Sequence, residues 1–416
     1  MRSEWKQALL FLTPHSSPLT PAPTFTISRT LRATLAPMMR HALSCLLVLG
    51  LASCATPQPP PPAASATPPA PAAATPAETS VERVAEVPPE ALKPVDFPTA
   101  RAQFVQDTAA KYGIAPAEIE ATLAKAQFLD SVVAAMSRPA ERVKPWSEYR
   151  VGFLTQARID GGRKFIAQHR DELTRVEQQY GVPAEVIVSI IGVETNYGGF
   201  TGRHKVLDAL YTLAFRYPRT GNPERAAYEH RREQFFRDEL AQLFALGREE
   251  KLDIASLTGS YAGAMGLGQF MPSSYREFAV DGNGDGRRDL FTTYPDIFAS
   301  IANYFRKKGG ERGGWVPGGA VVARAQLQDG FAEFNPETWT PDYTLAQLAE
   351  KGYRPIDPVA PDATATLVQL DGADGKQYWL GFQNYYAITR YNNSKMYAMA
   401  VHQLSQAIAG REIPPA

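Results

Sequence analysis

Residues 97 onward predict a mainly α-helical body with a small β-hairpin near its C-terminal end, and three observations carry that prediction. Apolar residues recur at helical spacing through most of the stretch from Phe97 to residue 256. Candidate helices open on proline, as at Pro116 and Pro183, and close on glycine, as at Gly181. A strand pattern stands out at Ala363–Leu370 and again at Lys376–Phe382, separated by the glycine-bearing turn Asp371-Gly372-Ala373-Asp374-Gly375.

The bulk numbers remove some function classes. With 43 basic and 43 acidic residues among 416, the formal net charge is zero. No bulk field draws the chain to nucleic acid or to an anionic membrane, although a local cleft can carry either sign. Eighteen tyrosines and five tryptophans supply rings that stack on flat partners and keep a polar edge. The two cysteines, Cys45 and Cys54, both lie before the folded body, which therefore uses neither a disulfide nor thiolate chemistry.

The first 96 residues divide into three stretches. Residues 1–37 are polar, rich in proline and threonine, and without a clear period. Met38, Met39, Arg40 and His41 then make a short basic start, and Ala42 through Leu51 an apolar run too short to cross a bilayer as a mature helix. Small residues close that run at Leu51-Ala52-Ser53-Cys54, the arrangement of a secretory signal. The tetrad resembles the bacterial lipobox, which implies cleavage before Cys54 and lipid on its sulfur. Translation is expected to begin at Met38 or Met39. Residues 55–96 are nearly all alanine, proline, threonine and serine. They cannot bury enough surface to offset ordering entropy, so the stretch reads as an extended tether. Expected boundaries are thus 1–54 for extension and signal, 55–96 for the tether and 97–410 for the folded region.

Within the body, helices are expected over 99–111, from Pro116, around Trp146–Ile159 up to a break at Gly161-Gly162, and over Lys164–Tyr180. Others follow from Pro183, over Val206–Phe215, over Tyr228–Leu246 and from about Ser394 to Ile408. Pro272-Ser273-Ser274-Tyr275 reads as a turn into a serine-capped helix, and Asp296–Arg306 as another helix. Residues 307–341, with Gly309-Gly310, Gly313-Gly314 and Gly318-Gly319, read as a loop around Trp315.

Two stretches carry chemistry. The helix from Pro183 ends at Ile190-Ile191-Gly192-Val193-Glu194-Thr195-Asn196-Tyr197-Gly198, delivering one carboxylate after an apolar run. Burial there disfavours the charged form, as a general acid requires, while the helix dipole disfavours any carboxylate at that end. An exposed glutamate in a last helical turn is the ordinary alternative. Gly259-Ser260-Tyr261-Ala262-Gly263-Ala264-Met265-Gly266-Leu267-Gly268-Gln269-Phe270 is rich in small residues. Its glycines permit close approach, either by a packed neighbour or by a ligand against Ser260 and Gln269.

After it, Asp281, Asn283, Asp285 and Asp289 stand at positions 1, 3, 5 and 9 of a loop with Gly286 at position 6. That is the first part of an EF-hand calcium loop, with the backbone carbonyl of Arg287 at position 7. Thr292 replaces the closing glutamate, and Asp296 is the nearest substitute ligand. The alternatives are a structural Ca2+ or an Asx/Gly turn.

No H-E-x-x-H, no cysteine–histidine pair, no G-x-S-x-G elbow and no phosphate or nicotinamide fingerprint is present. One acid/base carboxylate with tyrosines, amides and hydroxyls in a groove suits carbohydrate chemistry, with no cofactor for the reaction.

The segments Ile190–Gly198 and Gly259–Tyr275, and the tail Tyr391-Asn392-Asn393-Ser394 followed by Tyr397-Ala398-Met399-Ala400-Val401, resemble the membrane-bound lytic murein transglycosylase B family. So do Asp208-Ala209-Leu210, Tyr217-Pro218-Arg219 and Asn303-Tyr304-Phe305. The resemblance runs from about Phe104 to Ile408. It implies a lysozyme-like α-helical core over about 181–320, a helical part over 97–180 and an α/β part over 321–410. It implies cleavage of the β-1,4 bond between N-acetylmuramic acid and N-acetylglucosamine, leaving a 1,6-anhydromuramoyl end.

Matched residue by residue, Glu194 is the acid/base. Ser260 and Gln269 line the sugar site, Tyr149, Tyr304, Tyr385 and Tyr391 are groove tyrosines, and the aspartate loop binds calcium. Peptidoglycan strands are the implied partner, with a membrane reached through lipid on Cys54 at the periplasmic face of the outer membrane. A hydrolytic muramidase and a non-catalytic peptidoglycan-binding lipoprotein are the competing expectations. Three departures stand out: Gly268 where proline is expected, extra charge around Asn222–Arg232, and an altered Gly309–Gly319 stretch.

Overall fold

Helix α7 (Ala184–Thr195) is the element around which the others close. The computed structural model describes residues 95–137, 144–309 and 313–414. Cys45, Cys54, the apolar run and the tether up to residue 94 lie outside the described residues. Before α7 come α1 (Phe97–Tyr112), α2 (Pro116–Leu123), α3 (Asp130–Ser137), α4 (Trp146–Tyr149), α5 (Gln156–Gln168) and α6 (Arg170–Tyr180). After it come β1 (His204–Lys205), α8 (Val206–Phe215), α9 (Pro223–Glu250), β2 (Thr258–Gly259), α10 (Pro272–Phe278) and α11 (Tyr294–Lys307). The C-terminal part holds β3 (Val322–Leu327), β4 (Tyr343–Thr344), α12 (Leu345–Glu350), β5 (Tyr353–Pro355), β6 (Thr364–Gly372), β7 (Gly375–Gly381), α13 (Gln383–Tyr391) and α14 (Lys395–Ile408).

Every residue of α7 from Val186 to Thr195 is buried. Ile187, Val188, Ile190 and Ile191 are wholly shielded, each worth about 2 kcal/mol of hydrophobic stabilisation. A helix apolar all round needs partners on every side, and α5, α6, α11 and α14 supply them. Among the described residues no helix is long and apolar enough to cross a membrane.

The stretch from Gln156 to Tyr180 differs from expectation. Gly161-Gly162 does not break the chain but lies inside α5, and the break falls at His169, between α5 and α6. Packing is the reason. A Cβ on Gly162 would meet the Tyr197 hydroxyl at 2.7 Å and run into Ile408, so both glycines let α5 press against the turn after α7 and against α14. The helix expected from Tyr228 starts earlier, at Pro223, with the Asn222 side chain accepting from the Glu224 amide at 3.0 Å. The extra charge at Asn222–Arg232 is thus the first three turns of α9. There Glu229 accepts from the Thr220 amide and hydroxyl at 3.1 and 2.6 Å.

No serine side chain caps α10. The Ser273 amide and hydroxyl instead bind the Glu239 carboxylate of α9 at 2.9 and 2.6 Å. The expected hairpin is present as β6–β7, with Gly372 paired to Gly375. It forms the centre of a five-stranded antiparallel sheet in the order β4-β6-β7-β3-β5. β3 lies in the stretch read as a loop. Its alternation of buried Ala323 and Ala325 with polar neighbours has small residues on the inner face, a weak signal in sequence. α13 also escaped the periodic reading. Trp315 is buried, and its indole N–H donates to the carbonyl of Gly181 at 3.0 Å.

Candidate active site

Glu194 sits in the last turn of α7 and is 8% exposed. Its Oε1 accepts from the Tyr397 hydroxyl of α14 at 2.7 Å. Behind it the chain leaves the helix through three successive left-handed residues, Asn196 (φ 49°), Tyr197 (φ 60°) and Gly198 (φ 85°). Such conformations cost non-glycine residues about 1 kcal/mol or more each and persist where surrounding contacts impose them. The contacts here are specific. The Asn196 amide returns to Gly192 O at 3.2 Å, the Arg158 guanidinium donates to the same carbonyl at 3.0 Å, and the Tyr197 hydroxyl donates to Arg158 O at 2.7 Å. Arg158 brings positive charge to the carbonyl end of α7, offsetting part of the dipole cost of a carboxylate there.

Phenols surround the carboxylate. Burial, followed by the charge of Glu194, raises the pKa of Tyr149, Tyr391 and Tyr397. For Tyr304 burial again leads, with Arg390 opposing and Glu277 and Glu194 adding. These tyrosines therefore stay neutral and can donate hydrogen bonds across the working pH range. Beyond Tyr397, which donates to Glu194, the tyrosine hydroxyls of the region divide into two sets. Tyr304 donates to Arg390 O at 2.6 Å, Tyr391 to Gly268 O at 2.6 Å and Tyr385 to Lys395 O at 2.9 Å. All three are almost wholly shielded, so they form packed walls whose hydroxyls already serve the backbone. Tyr149 is partly buried, and its enclosed hydroxyl makes no hydrogen bond among the described residues. Its ring leans on Phe153 at 5.2 Å.

The small-residue segment folds as a tight loop beside the turn after α7. The Ser260 amide donates to Ala264 O at 2.8 Å, and the Met265 and Phe270 backbones exchange bonds at 3.0 and 2.9 Å. The Ser260 hydroxyl oxygen accepts from the Ala262 and Ala264 amides at 3.2 and 3.1 Å, which leaves its proton free to be donated. Gln269 adopts φ 50° and sends its amide N–H to Gly266 O at 2.9 Å and Thr201 O at 3.1 Å. A Cβ on Gly202 would collide with the Gly259 carbonyl and lie 2.6 Å from the Ser260 nitrogen, so the glycine permits this close approach. Gly268 is likewise pressed against the Tyr391 hydroxyl: a Cβ there would lie 2.9 Å from it.

Of the residues expected in the site, Glu194, Tyr149, Tyr304 and Tyr391 share one electrostatic neighbourhood. Ser260 and Gln269 lie in the loop bonded to its edge, and Tyr385 reaches the start of α14 instead. Tyr397 was missed as a site residue, although it stands in the tail motif. Its signal is the buried face of α14 that carries it. Arg158 had no sequence signal, because its role depends on α5 crossing the end of α7.

The aspartate loop is a separate, solvent-facing structure. Asp281 Oδ1 accepts from the Gly284 and Asp285 amides at 2.6 and 3.2 Å, and Oδ2 from Gly286 at 2.7 Å. Asn283 accepts from the Asp285 amide at 3.0 Å, and Asp285 from the Arg287 amide at 2.9 Å. Buried Asp296 closes the loop, taking the Gly282 and Asp289 amides on its two oxygens, both at 2.8 Å. Among the described residues, no three histidine, cysteine, aspartate or glutamate side chains converge to hold a metal ion. Here the carboxylates are turned onto backbone N–H groups. The donor set nonetheless suits a hard cation: each Asp296 oxygen accepts one bond and retains a lone pair. Burial, opposed by the Asp289 and Gly282 amides and reinforced by Asp281 and Asp285, raises the Asp296 pKa.

A family model described as Transglycosylase SLT domain matches residues 96–406. The chain is 42% identical over 316 residues to the membrane-bound lytic murein transglycosylase B of Escherichia coli strain K12, an alignment covering 74% of this chain and 82% of the relative. Solved structures are similar as well. The catenated lytic transglycosylase SltB1 of Pseudomonas aeruginosa superposes with a TM-score of 0.67 at 43% identity, covering 76% of this chain and 98% of that one. The Escherichia coli lytic transglycosylase Slt35 in complex with calcium gives 0.64 at 41% identity, covering 75% and 93%.

Proposed function

The chain belongs to the transglycosylase SLT domain family, and from that premise we propose how its residues carry the reaction. The protein is a lytic transglycosylase acting on peptidoglycan in the periplasm. The observation that carries the residue assignment is Glu194, a shielded carboxyl at the end of an apolar helix with a phenol donating to it. In its acid form Glu194 gives its proton to the glycosidic oxygen as the bond from the muramoyl C1 breaks, releasing the 4-hydroxyl of N-acetylglucosamine. The 2-acetamido group or the surrounding dipoles meet the positive charge developing at C1. Glu194, now carboxylate, removes the proton of the muramoyl C6 hydroxyl as its oxygen closes on C1. Water is not consumed, and one residue performs both transfers because the nucleophile belongs to the substrate.

Tyr397 holds the carboxyl in place, Ser260 and Gln269 form the polar wall, and Tyr149 offers its hydroxyl to the sugar. Tyr304 and Tyr391 shape the pocket from behind, while Tyr385 braces the start of α14. Asp281, Asn283, Asp285, the Arg287 carbonyl, Asp289 and Asp296 of the 281–296 loop would hold Ca2+, which would serve as a structural ion outside the chemistry. Lipid on Cys54 anchors the enzyme to the outer membrane, a reading supported by the tetrad Leu51–Cys54 and by the relative's description as membrane-bound. Metabolic labelling with a fatty-acid analogue tests it: wild type is labelled and Cys54→Ala is not, whereas equal labelling removes the anchor.

Digestion of purified sacculi tests the catalytic assignment. Wild type releases soluble fragments and Glu194→Gln does not. Equal release by both variants removes Glu194 from the mechanism, and no release by wild type favours a binding protein.

A further inference from the structure

The residue after the acid has its hydroxyl committed in three directions. Thr195 is 2% exposed, and its Oγ1 lies 3.1 Å from Ile191 O, 3.1 Å from Leu267 O and 3.1 Å from the Gly198 amide. The hydroxyl therefore accepts the Gly198 N–H and shares its own proton between the two carbonyls. Gly198 closes the left-handed turn behind Glu194, and Leu267 belongs to the loop that carries Ser260 and Gln269. Leu267 is held from its far side too, since its amide donates to Leu290 O at 3.1 Å. The second tie between turn and loop is the Gln269 side chain on Thr201 O, at 3.1 Å.

We propose that Thr195 is a positioning residue for the transglycosylase reaction, its hydroxyl setting the distance between the Glu194 carboxyl and the Ser260–Gln269 wall. The proposal rests on the reading of Glu194 as the acid/base. The acid sits on α7 and the sugar-facing wall on a separate loop, and proton transfer to the glycosidic oxygen requires both to address one bond within a few tenths of an ångström. An apolar residue of the same shape would leave the Gly198 N–H and one lone pair of the buried Leu267 O without this partner, and turn and loop would settle apart. Ser260 and Gln269 would still bind sugar, so the loss should fall on turnover more than on binding.

Thr195→Val keeps the shape and removes the hydroxyl, Thr195→Ser keeps the hydroxyl and removes the methyl, and Thr195→Ala is the second hydroxyl-free variant should valine not fold. Each is assayed well below its own melting temperature on solubilised glycan strands, with wild type and Glu194→Gln alongside. The expected result is a fall in kcat of about tenfold to a hundredfold for the hydroxyl-free variant, KM within about twofold of wild type, and kcat restored in Thr195→Ser. Unchanged kcat in the hydroxyl-free variant overturns the proposal, as does equal loss in the serine variant or a loss that appears wholly in KM. Failure of the underlying reading looks different, because Glu194→Gln would then turn over like wild type.

Discussion

Glu194 and the aspartates of the 281–296 loop are acids at the ends of turns, and their surroundings have opposite physics. Glu194 is enclosed by aliphatic and phenolic side chains and receives a side-chain hydrogen bond from Tyr397. Asp281 and Asp285 face solvent and bind a succession of backbone N–H groups. Enclosure makes a carboxyl sensitive to its protonation state and so able to exchange a proton with a substrate. Backbone N–H groups stabilise the anion and bend the chain around it, which suits holding a cation. The two regions are nonetheless in bonded contact, because Leu290, within the acidic loop, accepts from Leu267 in the small-residue loop. Residue type alone does not separate a proton donor from a cation ligand. The groups donating to the carboxylate do.

The largest expected effect breaks the enclosed side of that contrast. Glu194→Gln keeps size and polarity but cannot transfer a proton, so turnover should fall by about 10²–10⁴-fold while glycan binding persists, read by fragment release and by equilibrium binding. Tyr397→Phe is expected to lower kcat by roughly tenfold, about the worth of one hydrogen bond to a charged acceptor. The phenol donates to the carboxylate and favours the anion, so its loss should also move the alkaline limb of the pH–rate profile to higher pH. A profile that does not move would show that Tyr397 is packing and nothing more.

On the open side, wild type should gain about 2–3 kcal/mol of stability when Ca2+ is a hundredfold above its dissociation constant, visible as a rise in Tm. Asp281→Ala and Asp285→Ala should lose that rise. A wild-type Tm indifferent to Ca2+ would leave the loop as a turn. The smallest effect is in acid. The Gly286 amide foremost, against some burial and with Gly284 and Asp285 helping, holds Asp281 below the usual carboxylate range. At Asp289 burial pushes upward, and bonds from Thr292, Phe291 and Thr293 outweigh it. With folded pKa values below the unfolded ones, both contribute stability above about pH 4 that is lost as pH falls further. Asp281→Asn should flatten that decline slightly in a pH series of melting curves.

What was legible in sequence follows from what is local. Val206–Phe215 and the β6–β7 hairpin carry their period or turn chemistry within a few residues, and they form where expected. Gly161-Gly162 was misread because a glycine pair looks the same whether it ends a helix or admits a neighbour. Its meaning lies in Tyr197 and Ile408, distant in sequence. β3 was hidden by alanines on its inner face, and the serines of α10 by a cap supplied from Glu239 on α9. At the site, Glu194 announced itself as an acid on an apolar helix. Tyr397, Thr195 and Arg158 did not, because their roles exist only once α14, the small-residue loop and α5 converge on the end of α7.

The central claim is that Glu194 passes one proton out and takes another back without admitting water to the muramoyl carbon. Digestion of sacculi in water enriched with heavy oxygen, followed by mass spectrometry of the soluble fragments, tests it most directly. The account predicts muramoyl ends lighter by one water than reducing ends and carrying no heavy oxygen, with none formed by Glu194→Gln. Reducing ends bearing heavy oxygen from the wild-type enzyme would contradict it.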